Sequence, residues 1–207
     1  MIKEMYSSFS SKFGRNVTTI HPGEHFISGD VVIHTLLGTC VSVVLYSPEH
    51  RIGGLNHYML PDPVSSSGTG SGSSSLMEGA GRYGVHAMEL LINGFLKRGI
   101  PRGKLVAKVF GGGKVLMDQP GGRSTKHVGE KNVEFVLDYL DREKIPIAAR
   151  DLGGEGGRKI YFFPWTGKVL VGRIQHNAEI ISVETAYNKF INRERSKERV
   201  ILFGEEI

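Results

Sequence analysis

Residues 31–60 constrain the fold more than any other part of this 207-residue chain. Three runs within them are rich in valine, isoleucine and leucine, as β-strands are: residues 31–36, 40–46 and 52–60. A glycine turn separates the first two runs, and Pro48 begins a turn between the second and the third, which predicts a β-hairpin. Cys40 opens the second run and His57 lies in the third, so the hairpin places a thiol and an imidazole on paired strands.

The rest of the chain mixes helices and strands without strict alternation. Apolar residues recur at helical spacing in residues 83–98, around Val136 and in residues 182–193, which predicts three helices. Further strands are predicted at residues 105–110, 145–149, 159–163, 168–174 and 200–203. This pattern predicts an α/β fold built as a layered sandwich of sheet and helix, not a doubly wound sheet. We expect one domain over residues 1–207, with residues 65–75, all Ser, Gly or Thr, as a flexible loop.

Cys40 and His57 are the strongest candidates for chemistry. A lone cysteine is usually a small buried hydrophobe, but Gly38 lets the chain turn sharply just before it. The backbone N–H groups of Thr39 and Cys40 can then point at one spot and form an oxyanion hole beside a nucleophile. We expect the His57 imidazole to lower the thiol pKa and to donate a proton to the leaving group. A third residue must orient the ring, and the spacing leaves both His34 and Thr35 open.

Other classes of site are less well supported. Five histidines precede residue 60, but no pair has the spacing of zinc ligands with a cysteine partner, so we expect no metal. The glycine run 111–113 before Lys114 lacks the frame of a phosphate-binding loop and is interpreted as a structural turn. The mildly basic charge of +5 shows no basic patch with aromatic residues, so nucleic-acid binding is not expected. One cysteine, no signal-like start and no long apolar run favour a cytoplasmic protein without membrane insertion.

The motifs around these residues resemble those of the CheD family of chemoreceptor glutamine deamidases. Two segments carry most of the resemblance: Thr35-Leu-Leu-Gly-Thr-Cys40-Val-Ser-Val and Gly53-Gly-Leu-Asn-His57-Tyr-Met-Leu-Pro61. Three segments downstream match as well: Ala107-Lys-Val-Phe-Gly-Gly-Gly113, Val128-Gly-Glu-Lys-Asn132-Val133 and Asp151-Leu-Gly-Gly154. Thr39 stands where serine is commoner in the family, a change that keeps the hydroxyl.

The resemblance implies a three-layer sandwich of mixed β-sheets with helices on one side, akin to the catalytic domain of cytotoxic necrotising factor toxins. It implies hydrolysis of glutamine side chains on methyl-accepting chemotaxis receptors, without a cofactor. The family's nucleophile falls on Cys40, its histidine on His57 and its threonine most naturally on Thr35, with His34 as the alternative. A CheC-type phosphatase is an implied partner. Two other hypotheses are a non-catalytic adaptor that binds such a phosphatase and a different cysteine acyl hydrolase, such as a protease or a transglutaminase-like enzyme.

Overall fold

The computed structural model describes residues 7–60, 73–115, 126–174 and 178–197. Ten strands form two sheets: β1 (Ser7–Ser10), β2 (Arg15–Thr19), β3 (His25–Ser28), β4 (Val32–Leu37), β5 (Val41–Ser47), β6 (Ile52–Asn56), β7 (Val106–Gly111), β8 (Ile147–Leu152), β9 (Gly157–Phe163) and β10 (Lys168–Ile174). The helices are α1 (Ser73–Leu96), α2 (Lys126–Arg142) and α3 (Ala178–Lys197), with a short 3₁₀ helix at Arg102–Lys104.

The two five-stranded sheets are both mixed. The first has the order β1-β2-β4-β9-β10 and the second β3-β6-β5-β7-β8, each with one parallel pair among antiparallel ones. One apolar cluster joins the faces of the two sheets, including Ile33, Val44 and Phe162. A second cluster joins the outer face of the second sheet to α1 and α2, including Val43 and Ile92. The expected three-layer α/β sandwich is therefore confirmed.

The alternation of side chains along β5 explains why three layers form. Val41, Val43 and Leu45 belong to the cluster under the helices, whereas Val44 belongs to the cluster between the sheets. Because successive side chains point to opposite faces, a strand that is apolar at every position is buried on both sides. The thiol of Cys40, just before β5, belongs to the cluster between the sheets.

Several predicted boundaries need correction. The third apolar run was expected to stay in a strand to residue 60, but β6 ends at Asn56 and one isolated bridge, Val41 with Tyr58, follows. Residues 73–75 were expected in a flexible loop but begin α1, since serine is favoured at helix N-termini. Residues 65–72 and the predicted strand at 200–203 lie outside the described residues. The sequence analysis missed β1, β2 and β3, which are short and half-exposed.

Candidate active site

The register of the β5–β6 hairpin brings Cys40 and His57 together. Val44 is paired with Leu55, and the same register continues to the bridge between Val41 and Tyr58. Cys40 and His57 are thus diagonal neighbours across the hairpin, a spacing at which side chains can meet. Their ligand atoms, the Cys40 sulfur and a ring nitrogen of His57, lie within 4.8 Å of each other. The expected juxtaposition is present.

Thr35, and not His34, contacts the imidazole. The hydroxyl of Thr35 lies 2.8 Å from Nδ1 of His57 and donates a hydrogen bond to the carbonyl of Ile20 at 2.9 Å. Its one proton is used by Ile20, so the hydroxyl accepts from an Nδ1–H of His57. The ring is then the tautomer whose Nε2 carries a lone pair, and Nε2 has no hydrogen-bond partner among the described residues. This is the form that a general base requires.

His34 points away from the pair because neighbouring residues on β4 face opposite sides. Its Nδ1 lies 3.1 Å from the hydroxyl of Thr19, and its ring stacks on Tyr161. Burial, together with the charges of Lys159 and His21, lowers the pKa of His34 to about 4.

Hydrogen-bond donors bind all three carbonyl groups of residues 38–40, the glycine turn that ends at Cys40. The N–H groups of Gly113 and Gly112 donate to the carbonyls of Gly38 and Cys40, at 2.7 and 2.8 Å. The side-chain amide of Asn132, from α2, donates to the carbonyl of Thr39 at 2.9 Å. Because the three carbonyl groups are bound on this side of the turn, its three N–H groups point to the opposite side. The glycine run 111–113 is therefore the structural turn that was expected.

Gly111 is required for this arrangement. Its φ of +115° lies outside the range that other residues adopt readily, and an added Cβ would collide with the carbonyl oxygen of Cys40. Asn132 is equally specific, since its Oδ1 accepts the N–H of Leu60 at 2.8 Å while its amide donates to Thr39. From the sequence, residues 111–113 were interpreted as a structural turn, whereas the segment of Asn132 was noted only for its family resemblance and Asn132 was assigned no role.

The three N–H groups of the turn bind the carboxylate of Glu184, which lies on α3. Gly38 and Cys40 donate to Oε1 at 2.9 and 3.0 Å, and the N–H and hydroxyl of Thr39 donate to Oε2 at 2.9 and 2.8 Å. Three backbone N–H groups of the turn therefore converge on one carboxylate, where the sequence predicted that two would point at one spot. The sequence analysis did not single out Glu184, because nothing near it in the sequence links it to residue 40.

The protonation states of the pair differ from those expected. The pKa of the Cys40 thiol is raised, first by burial and then by the charge of Glu184 and a hydrogen bond to it. Burial lowers the pKa of His57 to about 3, with a further contribution from His21. The expectation that the imidazole lowers the thiol pKa is therefore wrong for this conformation. Cys40 is also fully buried, and the carboxylate of Glu184 lies against its backbone N–H.

Cys40, His57 and Glu184 are also close enough to hold a metal ion, since their ligand atoms lie within 4.8 Å of one another. The carboxylate, however, already accepts two hydrogen bonds on each oxygen. A carboxylate oxygen has about two lone-pair sites, so a metal ion would have to displace these donors. The arrangement is better described as an anion bound in a hole of N–H donors.

A cavity of about 180 Å³ adjoins the pair. Its lining is shared by the first sheet, α3 and the imidazole: Thr19, Ile20, His21, Pro22, His34, Leu36, His57, Ile180 and Glu184. The space is large enough for several water molecules, and it has polar groups to bind them. None of the helices in the described ranges is long and apolar enough to cross a membrane.

Comparison with known proteins shows similarity in sequence to one family. Residues 59–173 match the family model of CheD, described as CheD chemotactic sensory transduction. The chain is 46% identical over 201 residues to a protein of Shewanella oneidensis named probable chemoreceptor glutamine deamidase CheD 1, covering 95% of this chain and 92% of that protein. A protein of the same name from Dechloromonas aromatica is 42% identical over 182 residues, covering 86% and 85%.

Proposed function

Because the chain belongs to the CheD family, we propose that it is a protein-glutamine deamidase that converts glutamine side chains of methyl-accepting chemotaxis receptors to glutamate. One observation carries the proposal. Three N–H groups of one turn converge beside the Cys40 thiol, and a ring nitrogen of His57 within 4.8 Å of the sulfur provides the base. Backbone N–H donors that converge beside a nucleophile are what amide hydrolysis needs.

The first half-reaction forms a thioester. Nε2 of His57 takes the thiol proton, and the Cys40 sulfur attacks the side-chain carbonyl carbon of glutamine. The carbonyl oxygen gains the negative charge and is stabilised by the N–H groups of Gly38, Thr39 and Cys40. When the carbonyl re-forms, the C–N bond breaks, His57 returns the proton to the departing nitrogen, and ammonia leaves.

The second half-reaction hydrolyses the thioester. A water molecule entering through the cavity beside His57 gives a proton to Nε2, and its oxygen attacks the thioester carbon. The C–S bond then breaks, the sulfur regains its proton from His57, and glutamate is released. Thr35 keeps Nδ1 protonated and the ring oriented throughout, as a positioning residue. The scheme uses only side chains, backbone groups and water, so we propose no cofactor.

The direct test is the intact mass of a receptor cytoplasmic fragment after incubation with the protein. Each converted site adds about one dalton, because an amide nitrogen is replaced by a hydroxyl oxygen in an acyl transfer. We expect this gain, with matching ammonia release, and expect it to vanish in Cys40→Ala and His57→Ala. His50→Ala is the matched control, since His50 is an exposed histidine on the same hairpin, and its one side-chain hydrogen bond among the described residues is with Ser47. Peptide cleavage or incorporation of an added amine would contradict deamidation.

We also propose a cytoplasmic location and a CheC-type phosphatase as a binding partner. The unpaired Cys40 thiol supports a reducing compartment. The partner rests on the family alone and is tested by co-purification with a phosphatase of that type. If the chain acts only as an adaptor, Cys40→Ala leaves the chemotaxis phenotype intact, whereas for a deamidase it abolishes the phenotype.

A further inference from the structure

The contact between Glu184 and the oxyanion hole is not explained by the deamidation scheme. We propose that α3 occupies the docking site of the substrate helix, with Glu184 in the place of the glutamate product, so that the protein is closed until a receptor helix displaces α3. This inference rests on the proposed function and specifies how its substrate is presented. The substrate glutamine enters on a helix, as Glu184 does.

The first argument is chemical identity. A glutamate side chain is the product of glutamine deamidation, and the three N–H groups that would hold the oxyanion hold the oxygens of Glu184 at 2.9 to 3.0 Å. Among the described side chains no lysine or arginine pairs with this carboxylate, and four hydrogen-bond donors of the turn stabilise its charge. Reaction products often bind to the groups that stabilise the transition state, and here the product side chain belongs to the chain itself.

The second argument is the shape of the groove in which α3 lies. Ile180 lies one turn before Glu184, and its side chain fills the space above two glycines. A Cβ on Gly38 would lie 2.8 Å from Cγ2 of Ile180, and a Cβ on Gly157 would lie 2.7 Å from Cδ1. One turn after Glu184, the ring of Tyr187 would be 3.0 Å from a Cβ on Gly23. The floor of the groove therefore lacks side chains at three points where α3 contacts it.

A catalytic role for Glu184 does not fit the same contacts. The third member of a Cys–His–Glu triad must bind the imidazole, but Nδ1 of His57 is bound by Thr35 and Nε2 has no partner among the described residues. Glu184 instead raises the pKa of Cys40 by its charge and its hydrogen bond. A residue that disfavours the thiolate acts against the nucleophile, as an inhibitor does.

Alkylation of Cys40 by iodoacetamide tests the proposal without any receptor. The chain has a single cysteine, so one added mass reports this thiol alone. We expect slow labelling of the wild-type protein and labelling about tenfold faster or more in Glu184→Ala, because the thiol gains water and loses a neighbouring negative charge. Ile180→Ala keeps that charge and weakens only the packing of α3 in its groove. Faster labelling of this variant would therefore show that the helix is displaced.

Thr185→Ala is the matched control, since Thr185 is an exposed neighbour of Glu184 on α3. We expect it to label at the wild-type rate. If Glu184→Ala and Ile180→Ala both remain folded by circular dichroism and label as slowly as wild type, the proposal is wrong. If they label faster, a receptor fragment is added, and we expect it to slow labelling again by occupying the vacated groove. Absence of that protection would contradict the shared docking site.

The two proposals fail in different ways. If the protein releases no ammonia from receptors but Glu184→Ala and Ile180→Ala still expose Cys40, the deamidase assignment fails and closure by α3 stands. If deamidation proceeds but labelling is unchanged in both variants, the function stands and closure by α3 fails.

Discussion

α2 and α3 each send one polar side chain to the turn at residues 38–40, but to opposite sides of it. Asn132 of α2 binds the carbonyl of Thr39, whereas Glu184 of α3 binds the N–H groups. The first contact fixes the direction in which the N–H groups point, and the second occupies the place at which they point. Asn132 on α2 therefore orients the N–H groups of the turn, whereas Glu184 on α3 occupies the site that these groups form.

The packing of the two helices supports this distinction. Four apolar or aromatic residues of α2 are buried: Val128, Val136, Tyr139 and Leu140. Among the described side chains of α3, the one fully buried apolar residue is Ile180. Burial of such a side chain contributes about 1.5–3 kcal/mol, so the described side chains of α2 contribute several times more apolar stabilisation than those of α3. α3 also follows β10, an edge strand, so its departure need not break a sheet.

The largest effect is expected for Asn132→Ala. It leaves the buried carbonyl of Thr39 and the buried N–H of Leu60 without partners, which should lower the free energy of unfolding by about 2–4 kcal/mol. It also frees the turn to rotate, so we expect kcat to fall about a hundredfold, as when an oxyanion donor is lost. Urea denaturation and receptor deamidation measure the two effects. If Asn132→Ala and Glu184→Ala lowered the free energy of unfolding equally, the proposed difference between α2 and α3 would be contradicted.

A smaller loss of activity is expected for Thr35→Val. Like Asn132→Ala, this substitution removes a side chain that holds another group of the site in place. Valine cannot accept the Nδ1–H of His57 or donate to Ile20, so kcat should fall about tenfold with the KM little changed. Thr35→Ser restores the hydroxyl and should restore most of the rate. If serine fails to rescue, the methyl group and not the hydroxyl is what Thr35 contributes.

The buried imidazole predicts a pH dependence of stability. The pKa of His57 is about 3 in the folded protein against 6.5 when exposed, so the unfolded chain binds a proton first as pH falls. The stabilisation is present above pH 6.5 and is lost as pH falls toward 3, about 2 kcal/mol of it between pH 7 and pH 5. Urea denaturation at both pH values should show this loss in wild type and not in His57→Gln. We expect Glu184→Ala to show a smaller loss, because lifting α3 hydrates the ring.

The sequence was sufficient to predict that Cys40 and His57 lie on paired strands. The hairpin follows from two apolar runs and a proline turn, and its register alone brings Cys40 to His57. Choosing between His34 and Thr35 required the pairing of β4, since adjacent residues on a strand face opposite ways. Tertiary structure was needed to decide which face met the imidazole.

The contact between Glu184 and the turn at residues 38–40 could not have been predicted from the sequence. Glu184 lies 144 residues after Cys40, and an isolated glutamate in a helix gives no sign that it will be buried. The raised pKa of the thiol and the lowered pKa of the imidazole both follow from burial that α3 contributes to. Reasoning from Cys40 and His57 alone therefore predicted a lowered thiol pKa instead of the raised one.

Steady-state kinetics of Glu184→Ala on a receptor fragment test the central claim most directly. A side chain that only fills the site competes with substrate, so its removal should lower KM about tenfold and leave kcat within about twofold of wild type. Thr185→Ala should change neither value. A fall in kcat comparable to that of Asn132→Ala, with KM unchanged, would show that Glu184 takes part in the reaction and would contradict the account.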